Sequence, residues 1–426
     1  MPTPAELWTA ITAAGGSRAY IDAQLKERGF LVERRDADAL SDREKERYKK
    51  ELKAEAAERR KLNKDAWAAY RSAHVVHLGD GVWWTDATAP DKWDTPNSEE
   101  RAAENELPPL DTPRQLADAL GLSIGQLRGF CFHRDAATSL HYRRFEIAKR
   151  DGTPRAIWAP LPRLKAAQRW VLRHVVERLP VHGAAHGFLP GRSILSNAAV
   201  HTDSRVVLKL DVKDFFPTVT WRRVKGVFRR AGYREQVSIL LALLCTEAPR
   251  EVVPLDGKTY YVSLGERCLP QGAPTSPGLT NALCLRLDRR LTGLATKAGW
   301  RYTRYADDLT FSRPAASADA APDFLVKAVA RIVAAEGFAV KPSKTRIARG
   351  GGRQTVTGLV VNRDHPPRTS RTLRRQVRAA VHNLRAGKPL PEGESVARLR
   401  GYAAYIHMTD PKLGAKLLAA LDGAAG

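Results

Sequence analysis

Cysteine is scarce, carboxylates are outnumbered, and no long apolar run occurs. Four cysteines, Cys131, Cys245, Cys268 and Cys284, are scattered through 426 residues without a Cys-x-x-Cys pair. That spacing excludes a structural zinc site and argues against a disulfide framework in a chain of this length. They read as reduced thiols of a cytoplasmic protein. No segment approaches the roughly 20 apolar residues that span a bilayer, so no membrane partner is expected. The opening "MPTPAELWTA" lacks a basic stretch followed by an apolar one, so no secretion signal is read there. Asp and Glu total 46 against 70 Lys and Arg, a formal charge of +24. Such an excess points to a polyanionic partner, nucleic acid before any other.

The hydrophobic fraction of 43% is that of a folded protein, and the length allows two or three domains. No fixed-period repeat is visible. Residues 40–73 read as a long solvated helix with a narrow buried stripe at Leu40, Tyr48, Leu52, Leu62 and Trp67. It is either a charged surface helix or an RNA-binding arm. "GDGVWWTD" (79–86) reads as a small core, with a base-stacking platform as the alternative. The Pro-, Asp- and Glu-rich stretch 86–113 reads as a linker. Three regions follow: a charged helical extension (1–105), a denser domain (106–365) and a basic helical tail (366–426).

In the denser domain, "TPRQLADALGLSIGQLRGFC" predicts two short helices, and "RRFEIAKRDGTPRAIWAP" a hairpin turning at "RDGTP". "RVVLKLDVKDFFP" begins as a buried strand. Residues 275–299 read as a helix with Ser276 as N-cap and Pro277 in its first position. Strands separated by helices and closed by a hairpin predict an α+β fold, with an antiparallel sheet packed on helices.

The hairpin "RYTRYADDLTFS" (301–312) carries adjacent carboxylates, Asp307 and Asp308, at its tip. Aspartate tolerates turns, so the pair alone reads as an ordinary turn. Asp211, closing the apolar strand 206–212, changes that reading, because an ionised carboxylate beside a buried strand is costly unless paired or metal-bound. If the strand lies beside the hairpin, three carboxylates converge. In so basic a chain they would hold hard cations such as Mg²⁺. Two such ions about 3.5–4 Å apart serve in-line phosphoryl transfer.

"YADD" after "LDVKDFFP", with "LPQGAPTSP" (269–277) between them, resembles the palm of reverse transcriptases, in order, over about residues 125–405. "SNAAVH" (196–201) and "TVTGLVVN" (355–362) resemble the Asn-Ala-x-x-His and Val-Thr-Gly signatures of the retron reverse transcriptases. The resemblance implies a right-hand polymerase fold of fingers, palm and helical thumb behind an N-terminal helical extension. It implies an RNA-directed DNA polymerase using two Mg²⁺ ions on Asp211, Asp307 and Asp308. Lys149, Arg150 and Arg155 would grip the triphosphate, Phe216 would gate the sugar, and Gln271 and Gly272 would line the nucleotide pocket. Lys344 or Lys341 would protonate pyrophosphate, and Asp214 reads as structural. Arg192, Asn197 and His201 would face RNA.

The implied partners are a cognate structured non-coding RNA as template and primer, dNTPs, the branched msDNA product, an effector protein, and host RNase H for template removal. Priming would start at an internal guanosine 2′-OH, in antiphage defence. Other bacterial reverse transcriptases (diversity-generating, CRISPR-associated, abortive-infection) and a non-catalytic maturase-like protein remain the alternatives. In the tail, Arg371, Arg374, Arg375 and Arg378 share one helical face opposite Val377, Val381 and Leu384, so a basic face for RNA would back onto an apolar one.

Overall fold

The computed structural model describes residues 2–85, 92, 94–148, 152–317, 322–362 and 365–423. It contains two compact units that cut across the sequence-based boundaries at 105 and 365. One comprises Met1–Arg143, Pro160–Trp170 and Phe228–Glu266; the other comprises Arg144–Ala159, Val171–Val227 and Arg267–Gly426.

In the first unit, three helices, Pro4–Ala13, Ser17–Glu27 and Asp42–Ala73, pack around Ile11, Ile21, Leu25, Leu62, Ala66 and Ala69. Capping boxes start two of them, Thr3 with Glu6 and Ser41 with Glu44. The long helix departs from expectation on its buried face. Small residues Ala66 and Ala69 carry the stripe there, and Trp67 stays 52% exposed. Glu55 is buried on the same helix because Arg34 and Arg59 pair with it, at 2.9 and 3.0 Å. Of the two tryptophans in 79–86, Trp83 is 66% exposed and takes no part in a core, while Trp84 is half-buried.

The expected linker also needs correction. Residues 86–91 and 93 lie outside the described residues, but the Asp94 carboxylate accepts the Glu235 backbone N–H at 2.7 Å. Ser98–Glu104 is helical, and Leu107 and Leu110 are buried. Short polar side chains that read as solvated instead bond backbone groups of the same unit. The two predicted short helices form as Pro113–Ala119 and Ile124–Cys131. The helix Glu235–Cys245 is almost wholly buried. A hairpin, Arg250–Leu255 with Lys258–Ser263, turns through Asp256 and Gly257, both at positive φ.

The second unit holds a four-stranded antiparallel sheet. Its order is Arg301–Tyr305, Asp308–Pro314, Ser204–Asp211, Arg346–Arg349. The central strand Ser204–Asp211 buries Val206, Val207, Leu208 and Leu210 because it is sheltered on both faces. The predicted single helix over 275–299 is two, Ser276–Leu283 and Leu285–Lys297, interrupted at Cys284. Thr275 is the N-cap, while the Ser276 hydroxyl donates to the Pro270 carbonyl at 2.8 Å and so caps nothing. Three C-terminal helices, Arg371–Arg385, Val396–His407 and Pro411–Asp422, share a core of Val377, Val381, Leu399, Ala403, Ile406, Leu417 and Leu421. The fold is thus α+β, with an antiparallel sheet and separate helices. Among the described residues, no helix is long and apolar enough to cross a membrane.

Candidate active site

The sheet register brings the acidic residues together. Asp211 ends its strand directly opposite Asp308, and the Val212 N–H donates to the Asp307 carbonyl at 2.9 Å. Ala306, at φ 55°, makes the turn that lifts Asp307 out of the ladder. Burial pushes the Asp307 carboxyl above its ordinary pKa, and the charges of Asp308 and Asp211 push it further. Burial does the same to Asp308, with Asp211 adding to it and Lys209 and Lys344 opposing. Crowded oxygen donors that resist losing their protons are what a divalent cation relieves.

One cation already stands there. The Lys344 ammonium donates to Asp211 Oδ2 at 2.6 Å, and that hydrogen bond holds its pKa above the ordinary value. Of the two candidate lysines, Lys344 is therefore the one whose side chain reaches the carboxylates. Lys341 contributes its backbone N–H, to the Asp211 carbonyl at 2.8 Å, and its side chain is exposed. Among the described residues, no three acidic, imidazole or thiol groups close into a metal cage by themselves.

Beneath the turn lies a buried network that sequence reasoning missed. Arg304 is fully buried and forks onto the equally buried Asp288, with contacts of 2.7, 2.9 and 3.1 Å. Its remaining N–H bonds go to Asn281 Oδ1 at 2.9 Å and to the Ala306 carbonyl at 3.3 Å. Asn281 in turn donates to the Gly187 carbonyl at 2.8 Å, and a side chain at Gly187 would meet the Ala306 nitrogen at 2.8 Å. The Tyr302 hydroxyl donates to Asp288 at 2.8 Å. Burial opposes the Arg304 charge, but Asp288 outweighs it and holds the guanidinium above its usual pKa. Cys284 sits in the same interior, its thiol pushed by burial up to about 12, hence unreactive. Arg304 thus fixes the carbonyl of the residue that aims Asp307.

The remaining candidates divide. Phe216 is half-buried, its ring 5.7 Å from Phe215, which packs on Phe338 at 5.5 Å. Gln271 is tied to the strand Pro154–Pro160, which carries exposed Arg155, by the Trp158 N–H donating to its carbonyl at 2.7 Å. Gly272, at φ 122°, lies where a Cβ would meet the Trp158 carbonyl oxygen at 2.8 Å, so its close approach is to protein backbone. Lys149 and Arg150 lie outside the described residues. Asp214 shapes a backbone turn at φ 45°, its carbonyl accepting the Thr218 N–H at 2.9 Å.

Two expected RNA contacts are corrected. His201 is fully buried, held by the hydroxyls of Ser312 and Thr303, both at 2.7 Å. Asn197 is fully buried as well. Neither reaches solvent, so neither touches RNA directly; His201 ties two strands together, and Arg192 is the exposed one of the three. The two distant motifs do meet. The Thr357 hydroxyl donates to the Ile194 carbonyl at 3.0 Å, and Ala198 packs with Val356, Leu359 and Val361. On the C-terminal helix, Arg371, Arg375 and Arg378 are exposed, Arg374 is half-buried, and Val377 and Val381 are buried.

Burial lowers the pKa of His201 to about 3. The unfolded chain therefore takes up a proton below the ordinary 6.5 that the folded chain refuses until about 3. Stability present in full above that upper value falls by about 1.4 kcal/mol per pH unit through the window. Urea unfolding at about pH 7 and about pH 5 is expected to differ by about 2 kcal/mol from this group. His201→Asn should flatten that slope, and an unchanged slope would contradict the burial.

The chain matches the reverse transcriptase (RNA-dependent DNA polymerase) family over residues 147–376. It is 54% identical to the Retron Mx162 reverse transcriptase of Myxococcus xanthus over 423 residues, 97% of this chain and 87% of that one. Identity to the Retron Mx65 reverse transcriptase of the same organism is 46%, over 73% of this chain and 71% of that one. The Retron Ec86 reverse transcriptase of Escherichia coli is 32% identical, over 73% of this chain and 89% of that one. A solved telomerase from Candida albicans with a telomeric RNA fragment aligns over 65% of this chain and 56% of its own, at 11% identity and a TM-score of 0.38. The family match and these relatives define an RNA-directed DNA polymerase. Within that class, the chain belongs to the retron reverse transcriptase family.

Proposed function

We propose that this polymerase copies a structured non-coding RNA encoded beside it, starting from an internal guanosine 2′-OH. Its product would be branched RNA–DNA, msDNA, in antiphage defence. What supports the retron-specific part is likeness to retron enzymes along nearly the whole chain. The observation that carries the chemistry is the pairing of Asp211 with Asp308 beside Asp307.

Asp211, Asp307 and Asp308 would hold two magnesium ions, which lower the pKa of the attacking hydroxyl and neutralise charge on the transferring phosphoryl group. Lys344, protonated and hydrogen-bonded at the site, is the proton donor for departing pyrophosphate. Arg155, with Lys149 and Arg150, meets the dNTP triphosphate, and Phe216 limits the space beneath its sugar. Gln271 and Gly272 border the nucleotide. Arg192 and the face of Arg371, Arg374, Arg375 and Arg378 take RNA phosphates. Host RNase H removes the template, and an effector protein completes the system in the cytoplasm.

Co-expression with the adjacent non-coding region tests this reading. It should yield a DNA band that debranching enzyme shortens, and that disappears without the region. A linear product, indifferent to debranching, would overturn the 2′-priming assignment.

A further inference from the structure

The N-terminal helices carry a feature the polymerase chemistry does not use. At the C-terminal end of the long helix Asp42–Ala73, two of its rings and that of the C-cap His74 form a ladder. Trp67 stacks on Tyr70 at 5.5 Å and 14°, and Tyr70 stacks on His74 at 4.1 Å and 9°. Trp8, from the first helix, abuts Tyr70 and His74 edge-on at 5.1 and 5.0 Å and fixes the ladder from behind. Trp67 terminates it with 52% of its surface open. A large ring held rigid by stacking yet left bare is a poor way to finish a core. It is a ready surface for another flat ring.

On its own helix, the charge flanking Trp67 from position 53 to 74 has one sign. At about 100° per residue, Lys53, Arg60, Asn63, Lys64 and Arg71 lie within about 60° of Trp67 on the helix. No carboxylate from position 53 to 74 shares that face; Asp65 lies nearly opposite. Arg128, on the neighbouring helix Ile124–Cys131, adds a further cation. Burial lowers its pKa, and the charge of nearby Arg71 lowers it further. Arg60, Lys64, Arg71 and Arg128 have no ion-pair partner among the described residues, although acidic side chains elsewhere on the same helix are paired. Two guanidiniums left to repel each other are stabilised by an anion between them.

We propose that this face binds single-stranded nucleic acid, with a base stacked on Trp67 and backbone phosphates on Arg60, Lys64, Arg71 and Arg128. An aromatic platform inside a basic stripe is the arrangement that takes unpaired bases without reading their sequence. A duplex offers no free base face, so it gains only the phosphate contacts. The assignment does not depend on the metal site. It gives the first hundred residues a task distinct from catalysis, holding an unpaired strand of the RNA or of the growing DNA.

The test uses the full chain and fluorescein-labelled single strands of about 15 nucleotides, oligouridylate and oligothymidylate, with a duplex of the same length. Trp67→Ala is expected to weaken single-strand binding about tenfold while changing duplex binding little, and Trp67→Phe to restore most of the loss. Arg60→Gln, Lys64→Gln and Arg71→Gln together should lower the slope of log affinity against log salt by about 2. An effect on both strands supports a site for RNA and DNA, and an effect on oligouridylate alone one for RNA. Iodouridine cross-linking should mark the tryptic peptide that holds Trp67. Unchanged affinity and salt slope, or equal losses on single strand and duplex, would overturn the proposal and leave the face to a protein partner. Incorporation at saturating primed template should stay at the parent rate in these variants, so failure here leaves the polymerase site untouched.

Discussion

Asp307→Asn is expected to abolish measurable DNA synthesis, a fall of about 1000-fold or more, while the protein becomes no less stable. The two halves of that expectation come from one geometry. Burial and the adjacent charges of Asp308 and Asp211 raise the Asp307 pKa, so its ionised form costs the folded state free energy. An amide of the same shape removes the repulsion, and thermal unfolding should hold or move upward. Activity moves the other way, since a metal-holding oxygen supplies several kcal/mol of transition-state stabilisation, with about 1.4 kcal/mol for each tenfold in rate. A structural carboxylate would lose stability first. Synthesis within tenfold of the parent would contradict the role given to Asp307.

The second large effect is on folding. Arg304→Met should destabilise by about 3–5 kcal/mol, because it leaves the Asp288 carboxylate buried without its partner. Chemical unfolding measures this directly. Replacing both members, Arg304→Met with Asp288→Leu, should recover a substantial part of the loss, since neither charge then needs a partner. The recovered protein should still polymerise slowly, because the Ala306 carbonyl has lost its donor under the Asp307 turn. A single variant within about 1 kcal/mol of the parent would show that the buried pair does not hold this part of the sheet.

Those two residues mark how far the sequence could be read. Asp211, Asp307 and Asp308 were legible because like charges at a strand end and a turn have few uses, and because the reverse transcriptase resemblance implied that two strands far apart in the chain lie side by side. Arg304 and Asp288 were not, because their partnership depends on a helix and a strand meeting in the interior. A signal was nevertheless present. Arg304 stands in a strand beside the buried Tyr302 and Thr303, while Asn281 and Asp288 are polar residues seven apart in the stretch read as a single helix. The hairpin at Asp256-Gly257 went unread although that pair is a common two-residue turn with positive φ at both positions.

Elsewhere the pattern misled. Trp67 counted as an apolar position, but Ala66 and Ala69 beside it fill the interior, with Trp8 packed against them, while Trp67 stays 52% exposed. His201 and Asn197 read as contacts because their motif is a family signature. The burial of His201 shows that a signature residue can act within the fold, here by joining the strand carrying Ser312 to the one carrying Thr303. The stretch 86–113 read as a linker from composition, although Leu107 and Leu110 were the residues that would anchor it.

The most direct test of the central arrangement is anomalous diffraction from crystals soaked in manganese with primed template and dNTP. The account predicts peaks about 2.0–2.2 Å from carboxylate oxygens of Asp211 and Asp307, with the Lys344 ammonium displaced from Asp211. Manganese bound elsewhere, with the Lys344–Asp211 contact intact in a complex competent for synthesis, would contradict it.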